Sequence, residues 1–275
     1  MRTFAKEFQT IYPKRRAMAK KKILFINQEI SPYVADNNLS IMGRELSRAM
    51  QDLGHEIRTF MPKWGTINER RGQLHEVQRL SGMNLIINDT DHPLIIKVAS
   101  IQSSRVAVYF IDNDDYFSKR RTVIDDAGER AIFFARGVLE TVKKLRWVPD
   151  VIHCQGWMSA VVPFYVKTAY ADEPSFADAK VVTSLYNGVL PQELDDNFKQ
   201  NIAFRDAKPE LLSDYDDHFQ YEDLCRLAID YSDGVIQAEK DVSEALIKHT
   251  AAKDIPLLSY VEDFTNAYEE FYEKI

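Results

Sequence analysis

Residues 22–62 read KILFINQEISPYVADNNLSIMGRELSRAMQDLGHEIRTFMP, and this stretch decides the fold class. Its opening run, Lys22–Asn27, is apolar through the middle and rich in Ile, which is typical of a buried parallel strand. Apolar residues then recur at helical spacing up to a stop signal at Gly54. Residues 56–62 return to strand character. This order of strand, helix and strand predicts a βαβ unit.

Residues 73–111 differ from this pattern, because short runs of strand character alternate there with turn signals. The turn signals are Ser81-Gly82, Asp91-His92-Pro93 and Ser103-Ser104. We therefore predict a β-meander inserted into the α/β order, with strands at Gln73–Leu80, Asn84–Asn88, Leu94–Ile101 and Arg105–Ile111.

The alternation of helix and strand resumes at Asp126, which stands three residues before Glu129 as in a capping box. Further strands are predicted at Asp150–Gln155, Lys180–Leu185, Gly234–Gln237 and Ile255–Leu258. Helices are predicted at Trp157–Tyr170, Tyr221–Tyr231, Asp241–His249 and Glu262–Lys274. The fold class is therefore α/β, with a doubly wound, Rossmann-like parallel sheet and an inserted β-meander. We expect a single domain over residues 21–275, preceded by a basic, disordered leader over residues 1–20.

Charge is unevenly distributed along the chain. The net charge is −7, yet residues 1–22 carry eight Lys and Arg against one acid, which leaves −14 on the remainder. Because such an acidic body repels a phosphate backbone, we expect no nucleic-acid partner. The leader is a solvated tail or a nucleic-acid or membrane arm, and translation starts at Met1 or at Met18.

The sequence also limits the cellular setting. Apolar runs are too short for a membrane span, and the N-terminus lacks the apolar core of a secretory signal, so we expect no membrane partner. Cys154 and Cys225 are the two cysteines, too few for a disulfide framework, which favours a reduced, cytoplasmic setting.

In a doubly wound sheet, ligands bind beyond the carboxyl ends of the strands, so the loops there decide the chemistry. Neither GxG nor GxxxxGK[ST] occurs in the chain, which excludes dinucleotide and P-loop sites. Asp112-Asn113-Asp114 matches the DxD pattern of metal-dependent glycosyltransferases, but a polar turn after a strand is the alternative. The histidines show no paired ligand spacing. We expect no metal and no cofactor.

The segment His153-Cys154-Gln155-Gly156-Trp157 lies where a strand meets the next helix. His153 could orient a substrate, although a histidine inside an apolar strand is more often a core residue with its hydrogen bonds satisfied. Cys154 has no histidine or acid near it in sequence that would activate a nucleophile. Asp126 is interpreted first as a helix cap and second as an acid in a site.

Five segments carry a family resemblance, namely Lys22–Pro32, Leu53–Pro62, Tyr109–Phe117, Glu129–Thr141 and Trp147–Pro163. Together they resemble the N-terminal domain of bacterial glycogen and starch synthases of the ADP-glucose type, in glycosyltransferase family 5. The resemblance implies one half of a two-domain GT-B fold, and glucosyl transfer from ADP-glucose to an α-1,4-glucan with retention of configuration. It also implies a glucan or maltooligosaccharide as a partner. Glu29, Asp126, His153 and Trp157 are retained family positions, of which Glu29, Asp126 and His153 are candidate catalytic residues.

The chain departs from the family where the sugar nucleotide binds. The family's Lys-Thr-Gly-Gly donor loop falls on Ala35, Asp36, Asn37 and Asn38, so the lysine and both glycines are lost. The second histidine of its His-x-His-Asp-Trp motif, which lines the donor site, is replaced here by Gln155. Its Thr-Ile-His-Asn segment becomes Thr183–Tyr186. The sugar-stacking candidates are Tyr33, Tyr116 and Trp157, each of which could instead be a core residue.

Three hypotheses remain open at this point. The first is an enzyme of glycogen or starch synthase type, complete or working with a second protein chain that supplies the other GT-B domain. The second is a non-catalytic relative that binds glucan or regulates glucan metabolism. The third is a metal-dependent glycosyltransferase of a different fold that uses Asp112 and Asp114. Because the chain ends after one half of the GT-B pattern, we expect it to be inactive as an isolated chain.

Overall fold

The computed structural model describes residues 19–102, 104–118, 126–190 and 193–275. The strands are β1 (Lys22–Asn27), β2 (Glu56–Pro62), β3 (His75–Glu76), β4 (Met83–Ile87), β5 (Thr90–Ser100), β6 (Ala107–Asp112), β7 (Val151–Gln155), β8 (Lys180–Leu185), β9 (Gly234–Gln237) and β10 (Leu257–Leu258). The α-helices are α1 (Asn38–Asp52), α2 (Glu69–Gly72), α3 (Asp114–Phe117), α4 (Ala127–Lys144), α5 (Val161–Lys167), α6 (Phe198–Asn201), α7 (Tyr221–Asp230), α8 (Glu244–Ala252) and α9 (Phe264–Lys274). Residues 1–18 of the predicted leader lie outside the described residues.

The strands form a sheet in the order β10-β9-β8-β7-β1-β2-β6-β5-β3, with β4 paired to β5. The seven strands from β10 to β6 in this order are parallel, whereas β5, β3 and β4 are antiparallel. The predicted doubly wound sheet with an antiparallel insertion is therefore confirmed. β1 is the pivot, because the chain leaves it towards β2 on one side and later returns beside it as β7.

Helices cover both faces of the sheet. On one face, α4, α5 and α7 pack against the side chains of Leu24, Ile152 and Val181. On the other face, α1 and α9 pack against Ile23 and Phe25. β1 and its neighbours are thus buried on both sides, which explains their nearly continuous apolar sequence. None of the helices in the described ranges combines the length and the apolar character that a membrane crossing needs.

The inserted meander differs from its prediction in two places. The predicted turn at residues 91–93 is wrong, because this segment lies within β5 and pairs with β4. The chain turns instead at Asn88 and Asp89, whose φ angles are 50° and 57°. Asn and Asp tolerate these left-handed angles, which a two-residue hairpin requires. The predicted strand at residues 73–80 is reduced to β3, because α2 and the left-handed Gln73 precede it.

The predicted capping box at the start of α4 is also wrong. The side chain of Asp126 makes no cap hydrogen bond. Its Oδ1 accepts instead from Nε of Arg130 at 2.7 Å, one turn further along the helix. A charged partner binds a carboxylate more strongly than a backbone amide does, so the ion pair prevails. The helix predicted at 157–170 is likewise shorter, because a 3-10 turn (Trp157–Ser159) precedes α5.

Candidate functional site

A cleft of about 940 Å³ opens at the carboxyl ends of β1, β2, β6 and β7. It adjoins the pivot strand β1, where doubly wound sheets bind their ligands. The segments that follow these strands, together with α4 and the loop after β8, supply its walls. The lining residues include Gln28, Glu29, Ala35, Asn37, Trp64, Thr66, Tyr116, Phe117, Arg130, Trp157 and Val189.

Asn37 belongs both to the cleft and to the start of α1. Its Oδ1 accepts from the Ser40 backbone amide at 2.8 Å, and Ser40 Oγ accepts from the Asn37 amide at 3.0 Å. This reciprocal capping satisfies donors that a free helix N-terminus would offer to a phosphate group. The four exposed residues of the donor-loop segment (residues 35–38) carry no cation of their own.

Carboxylates bind the side-chain amides of this donor-loop segment. Asn37 Nδ2 donates to Glu29 Oε2 at 2.6 Å, and Asn38 Nδ2 donates to Glu239 Oε1 at 2.8 Å. The other oxygen of Glu239 accepts from the Asn187 backbone amide at 2.8 Å. The donor-loop segment therefore contains one acidic side chain, Asp36, and contacts two more, Glu29 and Glu239. The two glutamates bind the side-chain amides that a phosphate group would use as donors.

Gln155 lies in the core and not in the cleft. It is 0% exposed, donates from Nε2 to Asn27 Oδ1 at 2.8 Å and accepts at Oε1 from the Tyr186 hydroxyl at 2.7 Å. These bonds link β1, β7 and the end of β8. In this conformation Gln155 connects neighbouring strands inside the core, and none of its surface is accessible to a ligand.

His153 is likewise 0% exposed. Its Nδ1 bonds to the Tyr272 hydroxyl and its Nε2 to Ser184 Oγ, each at 2.7 Å. Burial lowers its pKa to about 3, so the imidazole is neutral near pH 7. The core interpretation of His153 is therefore confirmed. Cys154 beside it is buried too, and burial raises the pKa of its thiol, which keeps it unreactive.

The three candidate sugar-stacking rings lie in different environments. Tyr33 lies at a separate pocket of about 220 Å³, where its hydroxyl donates to Ser100 O at 2.9 Å. Burial raises the pKa of Tyr33 to about 12. Tyr116 lines the cleft but is 2% exposed, and its hydroxyl donates to Glu129 Oε2 at 3.0 Å. Trp157 is half-buried and lines the cleft, so it is the candidate that offers ring surface.

The DxD segment is occupied by structural interactions. Asp112 is buried and accepts a bond from Lys97 Nζ at 2.8 Å, while Asn113 caps α3. Within the described residues, no group of three His, Cys, Asp or Glu side chains is arranged to hold a metal ion. The hypothesis of a metal-dependent enzyme with a different fold is wrong, because the sheet is doubly wound.

The structure also adds site residues that the sequence interpretation missed. Trp64 and Thr66 enter the cleft directly after β2, and the Trp64 indole donates to Gln28 O at 2.8 Å. An aromatic residue just after a predicted strand was the available signal. Glu239 gave no comparable signal, because it lies about 200 residues from Asn38 along the chain.

A doubly wound sheet with a cleft at the carboxyl ends of its strands is the architecture of one half of a GT-B fold. Residues 22–254 match the family described as the starch synthase catalytic domain, and the chain belongs to that family. A glycogen synthase from Chlorobium limicola is 37% identical over 182 residues, which cover 62% of this chain and 37% of that protein. A glycogen synthase from Pelodictyon phaeoclathratiforme is 34% identical over 204 residues, or 70% of this chain and 40% of that one.

Solved structures agree with this assignment at the level of the fold. The catalytic domain of starch synthase IV from Arabidopsis thaliana, bound to ADP and acarbose, superposes with a TM-score of 0.73 at 17% identity. The superposition covers 88% of this chain and 52% of that one. This chain therefore spans about two fifths of the length of the curated relatives and about half of the structural neighbour.

Proposed function

We propose that this protein is a glucan-binding member of the synthase family whose isolated chain binds no sugar nucleotide and transfers no glucose. The observation that carries the proposal is the donor-loop segment, where two amides bind Glu29 and Glu239 and no lysine or glycine remains. The resemblance to the synthases implies a lysine and two glycines at these positions. Their replacement removes both the cation and the exposed backbone amides that a diphosphate needs.

Electrostatics makes this loss large. Two unit charges about 4 Å apart interact by roughly 4 kcal/mol at an effective dielectric of 20. Solvent reduces that value at an exposed segment such as residues 35–38. Replacing attraction by even a screened repulsion from Asp36 still corresponds to a loss of donor affinity of about 100-fold or more.

The remaining surface of the cleft suits an uncharged sugar. Trp64 and Trp157 supply indole surface against which the C–H groups of a pyranose can pack. Glu29 and Thr66 supply carboxylate and hydroxyl groups that can bond to sugar hydroxyls. A maltooligosaccharide is therefore the ligand class that we assign to this cleft.

A titration of the purified full chain with maltopentaose, followed by calorimetry, tests this assignment. We expect saturable binding that the substitution Trp157→Ala weakens by about tenfold, the loss for one buried aromatic contact. Tyr33→Ala is the matched control. Tyr33 lines the separate pocket of about 220 Å³ and not the cleft, so its loss should leave the affinity for maltopentaose unchanged. An absence of maltopentaose binding would rule out the proposed function.

The second candidate function is a glucosyltransferase that works with another protein chain. It is favoured by two retained family positions, Glu29 in the cleft and Asp126 beside the cleft residue Arg130, and by the match over residues 22–254. Incubation of the protein with ADP-glucose, glycogen and candidate partner chains distinguishes the two functions. Glucose incorporation that requires both chains would support the second candidate and contradict the first.

A further inference from the structure

Two buried polar atoms at the cleft lack a hydrogen-bond partner among the described residues. They are Nη2 of Arg130 and Oε1 of Gln28, and both residues line the cleft. Arg130 is 5% exposed. Buried donors and acceptors are nearly always paired in folded proteins, because an unpaired one loses its bonds to water and gains nothing in return. An unpaired donor and an unpaired acceptor in the lining of a cleft are therefore candidates for bonds to a ligand.

The guanidinium group of Arg130 is fixed in position by Asp126. Its Nε donates to Asp126 Oδ1 at 2.7 Å, and the side chains of both residues are nearly buried. The carboxylate balances the charge of the guanidinium, which makes the pair a weak attractor for an anion. Nη2 remains as a donor of fixed direction.

The orientation of the Gln28 amide follows from its neighbour. Gln28 Nε2 lies 3.4 Å from Glu29 Oε1. An ionised carboxylate can only accept hydrogen bonds, so the nitrogen and not the oxygen of Gln28 faces Glu29. Oε1 is thereby left as an acceptor. Its position depends on Gly156, where a Cβ atom would lie 2.7 Å from this oxygen.

The chemistry of a suitable ligand follows from an unpaired donor and an unpaired acceptor that line the same cleft. The phosphate groups of a sugar diphosphate carry no proton at neutral pH, so they could accept from Arg130 but could not donate to Gln28. An ammonium group could donate to Gln28 but could not accept from Arg130. A hydroxyl group does both, so a polyhydroxylated, uncharged ligand satisfies the two residues together.

We propose that Arg130 and Gln28 are specificity-determining residues of the cleft, which recognise hydroxyl groups of a neutral glucan. This proposal rests on the proposed glucan-binding function and names the residues that select the ligand. It also assigns a role to Asp126 as a positioning residue, which holds the guanidinium group of Arg130 and does not itself contact the sugar.

Calorimetric titration of the full chain with maltopentaose tests the roles proposed for Arg130 and Gln28. We expect Arg130→Met and Gln28→Met each to weaken binding about tenfold, the loss for a ligand hydrogen bond to a buried group. Arg130→Met also removes a partner of Asp126, so the uncharged variant Gln28→Met provides a test that leaves the ion pair intact. Arg71→Met, on the exposed end of α2 and outside the cleft, is the matched control and should bind like the wild type.

A second probe separates sugar from anion recognition. Inorganic pyrophosphate should not compete with maltopentaose, and pyrophosphate binding that Arg130→Met abolishes would overturn the proposal. Maltopentaose binding that both cleft variants retain in full would overturn it as well, while leaving the glucan-binding function in place. If the wild type binds no maltopentaose, the glucan-binding function and this proposal both fail.

Discussion

Gly156 shows how one residue shapes the cleft. It has a φ of +83°, and a Cβ there would lie 2.7 Å from both Cβ and Oε1 of Gln28. The resemblance to the synthases places an aspartate at this position. Glycine at this position therefore allows Gln28 to pack against the backbone of residue 156. It also allows residue 156 to adopt a positive φ, which residues with a side chain rarely do.

The substitution Gly156→Ala should lower the free energy of unfolding by about 2–3 kcal/mol, which combines the cost of the positive φ with the steric clash. Gly82→Ala is the control, because Gly82 has a φ of +82° and a Cβ there would have no neighbouring atom within 4 Å. Urea denaturation measures both variants. Equal losses in the two would show that Gln28 does not crowd Gly156.

His153 should make the stability of the protein depend on pH. Its folded pKa of about 3 lies below the ordinary value of 6.5, so between these values the unfolded chain binds a proton that the folded chain does not. Stability is therefore complete above about pH 6.5 and falls as the pH decreases towards 3. The free energy of unfolding falls by roughly 1.36 kcal/mol for each pH unit below 6.5. At pH 5 it is therefore about 2 kcal/mol lower than at pH 7.

Denaturant titrations at pH 7 and pH 5 test this expectation against the variant His153→Gln, which cannot titrate. The wild type should lose about 2 kcal/mol more than the variant over this interval. The same loss in both proteins would mean that the imidazole accepts a proton in the folded state.

At the residue scale, the sequence predicted the environment of His153 but not that of Gln155. A histidine inside an apolar strand is expected to be buried, and it is. Gln155 aligns with a donor-site residue of the family, yet its hydrogen bonds to Asn27 and Tyr186 hold it in the core. These partners come from neighbouring strands, and pairing between strands is not encoded in local sequence.

At the scale of elements, the donor-loop segment carries the main functional prediction. The triple variant Ala35→Lys, Asn37→Gly and Asn38→Gly restores the cation and both glycines of the family pattern. We expect it to bind ADP at least tenfold more tightly than the wild type, because attraction and exposed amides return together. Calorimetry measures the two dissociation constants.

The double variant Asn37→Gly and Asn38→Gly is the control for this experiment, since it exposes the backbone without adding charge. It should gain less affinity than the triple variant. If the triple variant folds and binds ADP no better than the wild type, then residues 35–38 are not what limits donor binding.

The elements themselves were predictable to different degrees. β1, β2, β8 and β9 have the predicted bounds, because each is a short apolar run between clear breaks. The hairpin turn between β4 and β5 was misplaced, since Pro93 signals a turn more strongly than Asn88-Asp89 does. In that hairpin, pairing along β5 outweighs the local preference of proline.

At the scale of the whole molecule, charge and architecture favour the same class of ligand. Residues 23–275 carry a net charge of −14, which disfavours anionic ligands in general. The doubly wound sheet nevertheless keeps a cleft lined by two indole rings at its carboxyl edge. The sequence predicted this sheet and the edge at which the cleft lies. It did not predict the partners Glu239 and Arg130, which only the folded chain brings to the site.

The most direct test of the central claim is a calorimetric titration of the purified wild-type chain with ADP-glucose. We predict no saturable binding at donor concentrations up to about 1 mM, which corresponds to less than roughly 4 kcal/mol of binding free energy. A dissociation constant in the low micromolar range would contradict the account, because it would mean that a sugar diphosphate binds without the lysine and glycines that residues 35–38 have lost.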